Sequence, residues 1–393
     1  MNNERNNVPA LRFPGFTNPW EKRKLGEAVN VRDTLRVPIT SNVRIPGNTP
    51  YYGANGIQDF VKGYTHTGEN VLVAEDGAND LRQYPALYTE GPIWVNNHAH
   101  VLSSIPNLTD NLFLSYRLKI VDFIPFLSGS GRSKLNASEL NKITTWYPSI
   151  VEQTKIGEFF KKLDDLIAVN QREGKKLEDL KKAYLDKLFP KGGNDKPELR
   201  FPGFTNPWEK RKLNDISTIY SGGTPSSAKA EYWNGTINWF TPTEVKNNGY
   251  IKNSVRKITK SGLKHSSAVL LPKDSIMMTS RAGIGEMAIL NEPATTNQGI
   301  QSFVLKSNIS PYFFYSMQPK ISKLANIVAS GSTFTEISGK KLGNILLMFT
   351  TNKEEQTKIG EFFKKLDDLI AVNQREGEKL EQLKKAYLKD MFV

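Results

Sequence analysis

The chain of 393 residues contains no cysteine. That absence excludes disulfide scaffolds, thiolate zinc sites, iron–sulfur clusters and thiol nucleophiles. Only four histidines are present, which leaves little for an imidazole-based metal centre. No apolar run approaches the ~20 residues needed to cross a bilayer. The opening Met-Asn-Asn-Glu-Arg-Asn-Asn has no apolar core of a secretory signal, so a cytoplasmic location is expected. Positive charge, by contrast, is plentiful: 53 Lys and Arg face 40 Asp and Glu, a net charge of +13. Length and composition suit two or three soluble domains with an anionic partner.

The sequence is written twice. Leu11–Leu25 reads LRFPGFTNPWEKRKL, and Leu199–Leu213 repeats it letter for letter. A second repeat covers Glu152–Leu185 and Glu355–Leu388, where only Lys175/Glu378 and Asp179/Gln382 differ. Between box and second repeat lie Gly26–Val151 in one copy and Asn214–Glu354 in the other, with no evident similarity. A period near 200 residues is too long for a solenoid. The pattern is a duplication in which the frames match and the inserts do not. It divides the chain into a first variable domain with its box (1–151), a helix (152–188), a linker (189–198), a second variable domain (199–354) and a second helix (355–391).

The 34-residue repeat has helical periodicity. Ile156, Leu163, Asn170, Leu177 and Tyr184 recur at heptad spacing, as do Ile359, Leu366, Asn373, Leu380 and Tyr387. Acidic and basic residues nearly balance along both copies. That composition favours pairing with another helix over gripping phosphates. Antiparallel pairing would bring the two asparagines together near the middle, where a buried polar residue can fix register. In the boxes, Phe13, Phe16 and Trp20 are expected to pin each variable domain to its helix, with Pro14 and Pro19 keeping the segment extended.

The largest share of the charge excess lies in the second insert, with fifteen basic and eight acidic residues, and most of the rest in residues 1–25 and 189–213; the first insert has ten basic and eleven acidic. Both inserts mix short β-like runs with turn residues, the pattern of a mixed α/β domain with long loops. Polar loops are the candidates for reading base edges, since Asn and Gln pair with adenine and Arg and Lys with guanine. In the first insert the candidates are Asn55, Asn79, Asn96, His98, Arg132 and Lys134. In the second they are Thr224, Thr241, Thr243, Arg281, Gln298 and Thr333.

Catalytic motifs are missing. Ser128–Lys134 does not satisfy Gly-x-x-x-x-Gly-Lys. His98 and His100 have no further ligand at recognisable spacing. Asn18-Pro19-Trp20 and Asn206-Pro207-Trp208 lack the second proline of the adenine-methyltransferase motif, and Glu173-Gly174-Lys175 lies inside the helix. No active site, metal site or cofactor site is expected in this chain.

The repeated box, the repeated EQTKIGEFFKKLDDLI…LKKAYL helix and the two dissimilar inserts together resemble the specificity subunit of type I restriction–modification enzymes. The resemblance covers nearly the whole chain. Gly222-Gly-Thr-Pro225, Tyr232-Trp233 and Asn297-Gln298 are similar to segments common in that family, as are Pro50–Gly56 and Asn97-His98. It implies a non-catalytic DNA reader of mixed α/β fold: two target recognition domains separated by two long antiparallel coiled-coil helices. Each domain would bind half of a bipartite asymmetric site on double-stranded DNA. The helices would set the spacer and dock two methyltransferase subunits, which bring S-adenosylmethionine. Two restriction subunits, using ATP and Mg²⁺, would complete the complex. A stand-alone bivalent DNA-binding protein is the alternative.

Overall fold

The structure, a computed structural model, describes residues 7–129, 132–247, 249–281, 283–329 and 336–393. It divides into two compact units, one of Met1–Gln171 with Arg375–Val393 and one of Arg172–Gln374. The divide falls inside both long helices, not at their ends, so each unit holds a variable domain, the first part of its own helix and the last part of the other.

In the first unit, Val29–Val31, Ala99–Ser104, Asn70–Ala74 and Ala86–Thr89 form an antiparallel sheet in that order. A smaller sheet holds Gly56–Val61, Pro46–Gly53 and Trp94–Val95, the last joined in parallel. Asn70–Ala74 is buried throughout because both faces are covered. Val71 and Val73 face the main core with Phe113 and Phe160, while Leu72 faces a second cluster with Val95 and Val101. A strand covered on both sides shows no polar alternation, hence its continuous apolar run.

The second unit repeats this plan with different residues. Ser217–Ser221, Ile300–Leu305, Ile276–Thr279 and Met287–Leu290 correspond to the four strands above, with Tyr250–Ile251 added at the edge. Arg256–Ile258, Trp233–Phe240 and Thr295–Thr296 form the smaller sheet, again with its last strand parallel. In each unit the end of the box pairs with the strand before the helix: Glu21–Lys24 with Thr144–Tyr147, and Glu209–Lys212 with Leu346–Phe349. Two inserts without evident sequence similarity thus share one topology.

The long helices run Ile150–Lys187 and Lys353–Asp390. They start two residues before the repeated sequence does, at Glu152 and Glu355, and end one residue short of Leu188 and Met391. The invariant positions explain themselves through what they hold. Glu152 accepts two hydrogen bonds from Arg12 at 2.7 Å each, and Glu355 accepts the same pair from Arg200 at 2.7 and 2.9 Å. Gln153 Oε1 accepts the Asp110 amide at 3.0 Å, and Gln356 Oε1 that of Ser310 at 2.9 Å. Gly157 and Gly360 leave room for a short helix of the insert: a Cβ on either would come within 2.8 Å of the Phe113 or Phe313 amide nitrogen.

The helical stripe therefore has two jobs, where heptad spacing suggested one. Ile156 and Ile359, read as pairing residues, are core residues of their own units. Leu163 and Leu366 are buried, and Leu177 and Leu380 half-buried. Tyr387 meets Phe159 edge-on at 5.0 Å in the first unit, and Tyr184 meets Phe362 at 4.8 Å in the second. The pairing is antiparallel within each unit, since Phe159, Asp164 and Asn170 meet Tyr387, Lys384 and Gly377 in descending order. Within the first unit Asn170 lies against Gly377, and within the second Asn373 lies against Gly174. Trp20 is buried against Phe113 and Phe392, and Phe13 packs on Phe159, but Phe16 is only half-buried beneath Lys155.

Candidate nucleic-acid interface

In the first unit the polar loops converge on Glu75-Asp76-Gly77, just after the doubly covered strand. Asn55 Nδ2 donates to the Gly77 carbonyl at 2.9 Å, and Asn55 Oδ1 accepts the Asn79 amide at 2.9 Å. His98 Nδ1 lies 2.5 Å and Arg132 Nη2 2.9 Å from the same Asp76 oxygen. Lys134 Nζ is 3.0 Å from Glu75. Asn96 is buried: its Oδ1 accepts the His98 amide at 2.8 Å, and its Nδ2 reaches Gln58 at 3.4 Å. All six first-insert candidates thus come together, and five already hold the loops in place. Asn96 acts as a turn builder rather than a surface contact.

The second unit builds the same place by the same backbone hydrogen bonds. Asn96 N donates to Tyr52 O at 3.1 Å, and Asn297 N to Phe240 O at 2.9 Å. Glu75 N donates to His98 O at 2.8 Å, and Ser280 N to Gly299 O at 2.9 Å. Bridges join Asp76 to Lys134 and Arg281 to Glu336. Around this frame Thr224 Oγ1 donates to Gln298, and Thr241 bonds Thr243 at 3.0 Å and Glu244 at 2.7 Å. A Cβ on Gly299 would lie 2.9 Å from Arg281 Nε and 2.8 Å from Pro242 Cγ, which seats the guanidinium between the two loops. Thr333 lies outside the described residues.

The two surfaces differ in electrostatics. In the first, His98, Arg132 and Lys134 each have a carboxylate partner. Arg36 bonds Glu75 at 2.6 Å and approaches Asp33 at 3.4 Å, and His100 Nδ1 lies 2.6 Å from Asp33. Burial works to raise the Asp33 and Glu75 carboxyls, but hydrogen bonds and charge from His100, Arg36 and Lys134 win and hold both below the ordinary range. Asp33, Glu75 and His100 are close enough to suggest a metal site. Arg36 already supplies the cation there, and His100 Nε2 is taken up by Leu135 O at 2.8 Å. The cluster reads as a buried ion network. In the second unit Arg281, Arg256, Lys257, Lys260 and Lys264 form no ion pair among the described residues, and Arg256 stacks on Trp233 at 3.6 Å. Sequence reading missed Asp76, Glu75 and Arg36 as organisers, because it sought donors to bases and not the acids that position them.

Residues 17–179 and 205–382 match the family model of the type I restriction modification DNA specificity domain, and the chain belongs to that family. It is 36% identical over 190 residues to the MjaIX specificity subunit of Methanocaldococcus jannaschii, covering 47% of this chain and 44% of that one. It is 32% identical over 168 residues to the EcoR124I/EcoR124II specificity subunit of Escherichia coli, covering 41% of each. These alignments span less than half the length of the relatives. With the MjaVIII subunit of M. jannaschii the likeness is 23% over 395 residues, covering 93% of this chain and 90% of the relative. In fold the chain is similar to the S subunit of a type I restriction–modification system from M. genitalium: TM-score 0.71 at 16% identity, over 98% of this chain and 99% of that one. The chain is thus a type I specificity protein with two specificity domains. No helix among the described residues is long and apolar enough to cross a membrane.

Proposed function

We propose that each variable domain reads one half of a bipartite, asymmetric sequence on double-stranded DNA, and that this chain carries out no chemistry. One observation supports this above the rest. Two inserts without evident sequence similarity fold to one topology and present different polar side chains from equivalent loops, on frames that are nearly identical. Such an arrangement keeps the docking constant and lets the loops vary, as a reader of two different half-sites requires. Asn55, Asn79, His98, Arg132 and Lys134 form the reading surface of the first domain. Thr224, Thr241, Thr243, Arg281 and Gln298 form that of the second.

The helices set the distance between the half-sites and dock two methyltransferase subunits. Their outward lysines, Lys161, Lys162, Lys364 and Lys365, lie on the docking face. S-adenosylmethionine enters with those subunits, which methylate adenine. ATP and Mg²⁺ enter with two restriction subunits. The test is methylome sequencing of a host with and without this chain, its methyltransferase partner being present in both. A bipartite methylated motif that appears only with the chain is expected. Replacing Gly26–Val151 by the insert of a relative should change one half of that motif; a change in both halves, or in neither, refutes the two-reader arrangement.

A further inference from the structure

Val255 is 88% exposed, the most exposed large apolar side chain among the described residues. Its backbone is not loose. The Val255 amide donates to Glu244 Oε1 at 2.7 Å. Ser254 before it is buried and accepts the Trp239 amide at 3.0 Å while donating to the Arg256 carbonyl at 2.6 Å. Two residues back, the Lys252 carbonyl accepts Asn238 Nδ2 at 3.0 Å. The tip is thus clamped on both sides with an isopropyl group held out into water.

The surroundings suit an anionic duplex. Arg256 follows directly and stacks on Trp233, with Lys257 beside it and Lys252 three residues before. Glu244, which holds the tip, also accepts from the amide and hydroxyl of Thr241, both at about 2.8 Å or less. One carboxylate therefore couples the Val255 tip to the turn carrying Thr241 and Thr243. A rigid apolar group flanked by cations, beside polar base-reading groups, matches the thymine methyl, the one apolar feature of the major-groove edge.

Resting on the reading of the second domain as a DNA reader, we propose that Val255 is a specificity-determining residue that contacts the 5-methyl group of a thymine in that domain's half-site. The contact makes one T·A pair preferred at a position where no hydrogen bond need be made. Covering one methyl group is worth about fourfold in affinity.

The test uses the full chain co-expressed with its methyltransferase subunits. Methylome sequencing of V255A should show one T·A position relaxed in the half-site assigned to residues 214–354 by insert exchange, with the other half unchanged. V255D should disfavour the same position further. On purified complexes, replacing that thymine by uracil should weaken wild-type binding about fourfold and leave V255A unaffected. An unchanged motif for both variants overturns the proposal, as does equal sensitivity of wild type and V255A to uracil. Loss of subunit assembly in native mass spectrometry with an unchanged motif also overturns it, because the tip would then serve a protein partner. If the wild-type chain yields no bipartite motif at all, it is the two-reader function that fails.

Discussion

The side-chain oxygen of Asn170 faces Gly377 so closely that a Cβ on Gly377 would come within 2.6 Å of it. In the other unit Asn373 faces Gly174, with 2.5 Å for the same comparison. Glycine in mid-helix costs about 1 kcal/mol relative to alanine, so its place in the helix repeat needs a reason. Room for the asparagine side chain that reaches across from the facing helix is that reason.

Replacing Gly377 by alanine should therefore destabilise the protein, although it improves helix propensity. The methyl group forces the Asn170 amide to turn aside, and the loss of its position between the helices outweighs the propensity gain of about 1 kcal/mol. The double variant N170A/G377A should recover most of the loss, since the clash and its partner go together. Thermal melting of the four proteins checks this, and a G377A protein more stable than wild type would refute the packing role.

This pairing marks where sequence reading stopped. The heptad stripe that carries Asn170 and Asn373 was legible from spacing. Their partners were not, because Gly174 and Gly377 carry no side chain to enter a periodicity. The same holds for the domain side of the helix. Glu152, Gln153 and Gly157 look like any polar helix start until the Arg12, Asp110 and Phe113 they hold are seen. The shared topology of the inserts was also hidden, because the backbone bonds of Asn96 and Asn297 need only one common residue in otherwise different loops.

A three-part contact ties each domain to both helices. Asp164 accepts a hydrogen bond from Tyr116 at 2.8 Å and pairs with Lys384. Asp367 accepts one from Tyr312 at 2.8 Å and pairs with Lys181 at 2.6 Å. Burial, and then the neighbouring carboxylate, push both phenols well above their ordinary range, so they remain donors at any pH the protein meets. Y116F and Y312F should each lower stability by about 1 kcal/mol, and D164A by more, because it leaves both partners unmatched. Equal melting temperatures for Y116F and wild type would argue against a stabilising bond.

The Asp33–Glu75 network gives a pH dependence with a defined sign. Both carboxyls are held below their unfolded values of about 3.9 and 4.3, so the folded state gains from their ionisation. That stabilisation is complete above the unfolded values and is lost as pH falls through the lower folded ones. The melting temperature should hold down to about pH 5 and drop below about pH 4. D33N should melt lower at neutral pH and lose less on acidification. Parallel curves for D33N and wild type would place the acid sensitivity elsewhere.

The ruler role of the helices is open to a direct length test. Each helix has 38 residues and spans about 57 Å at ~1.5 Å per residue. An insertion in one helix alone would misalign Lys181 with Asp367 or Lys384 with Asp164, so both must change. The divide between the compact units, Gln171/Arg172 and Gln374/Arg375, marks where extra turns leave every contact described within a unit intact. Four residues added at both points lengthen the pair by about 6 Å and, at ~3.6 residues per turn, largely keep the apolar face in line. At about 3.4 Å per base pair, the unread spacer should grow by one or two base pairs. Both half-sites should stay as they are, because no reading loop is touched. Methylome sequencing reports motif and spacer together, and an active insertion variant with an unchanged spacer would show that the helices do not set the distance.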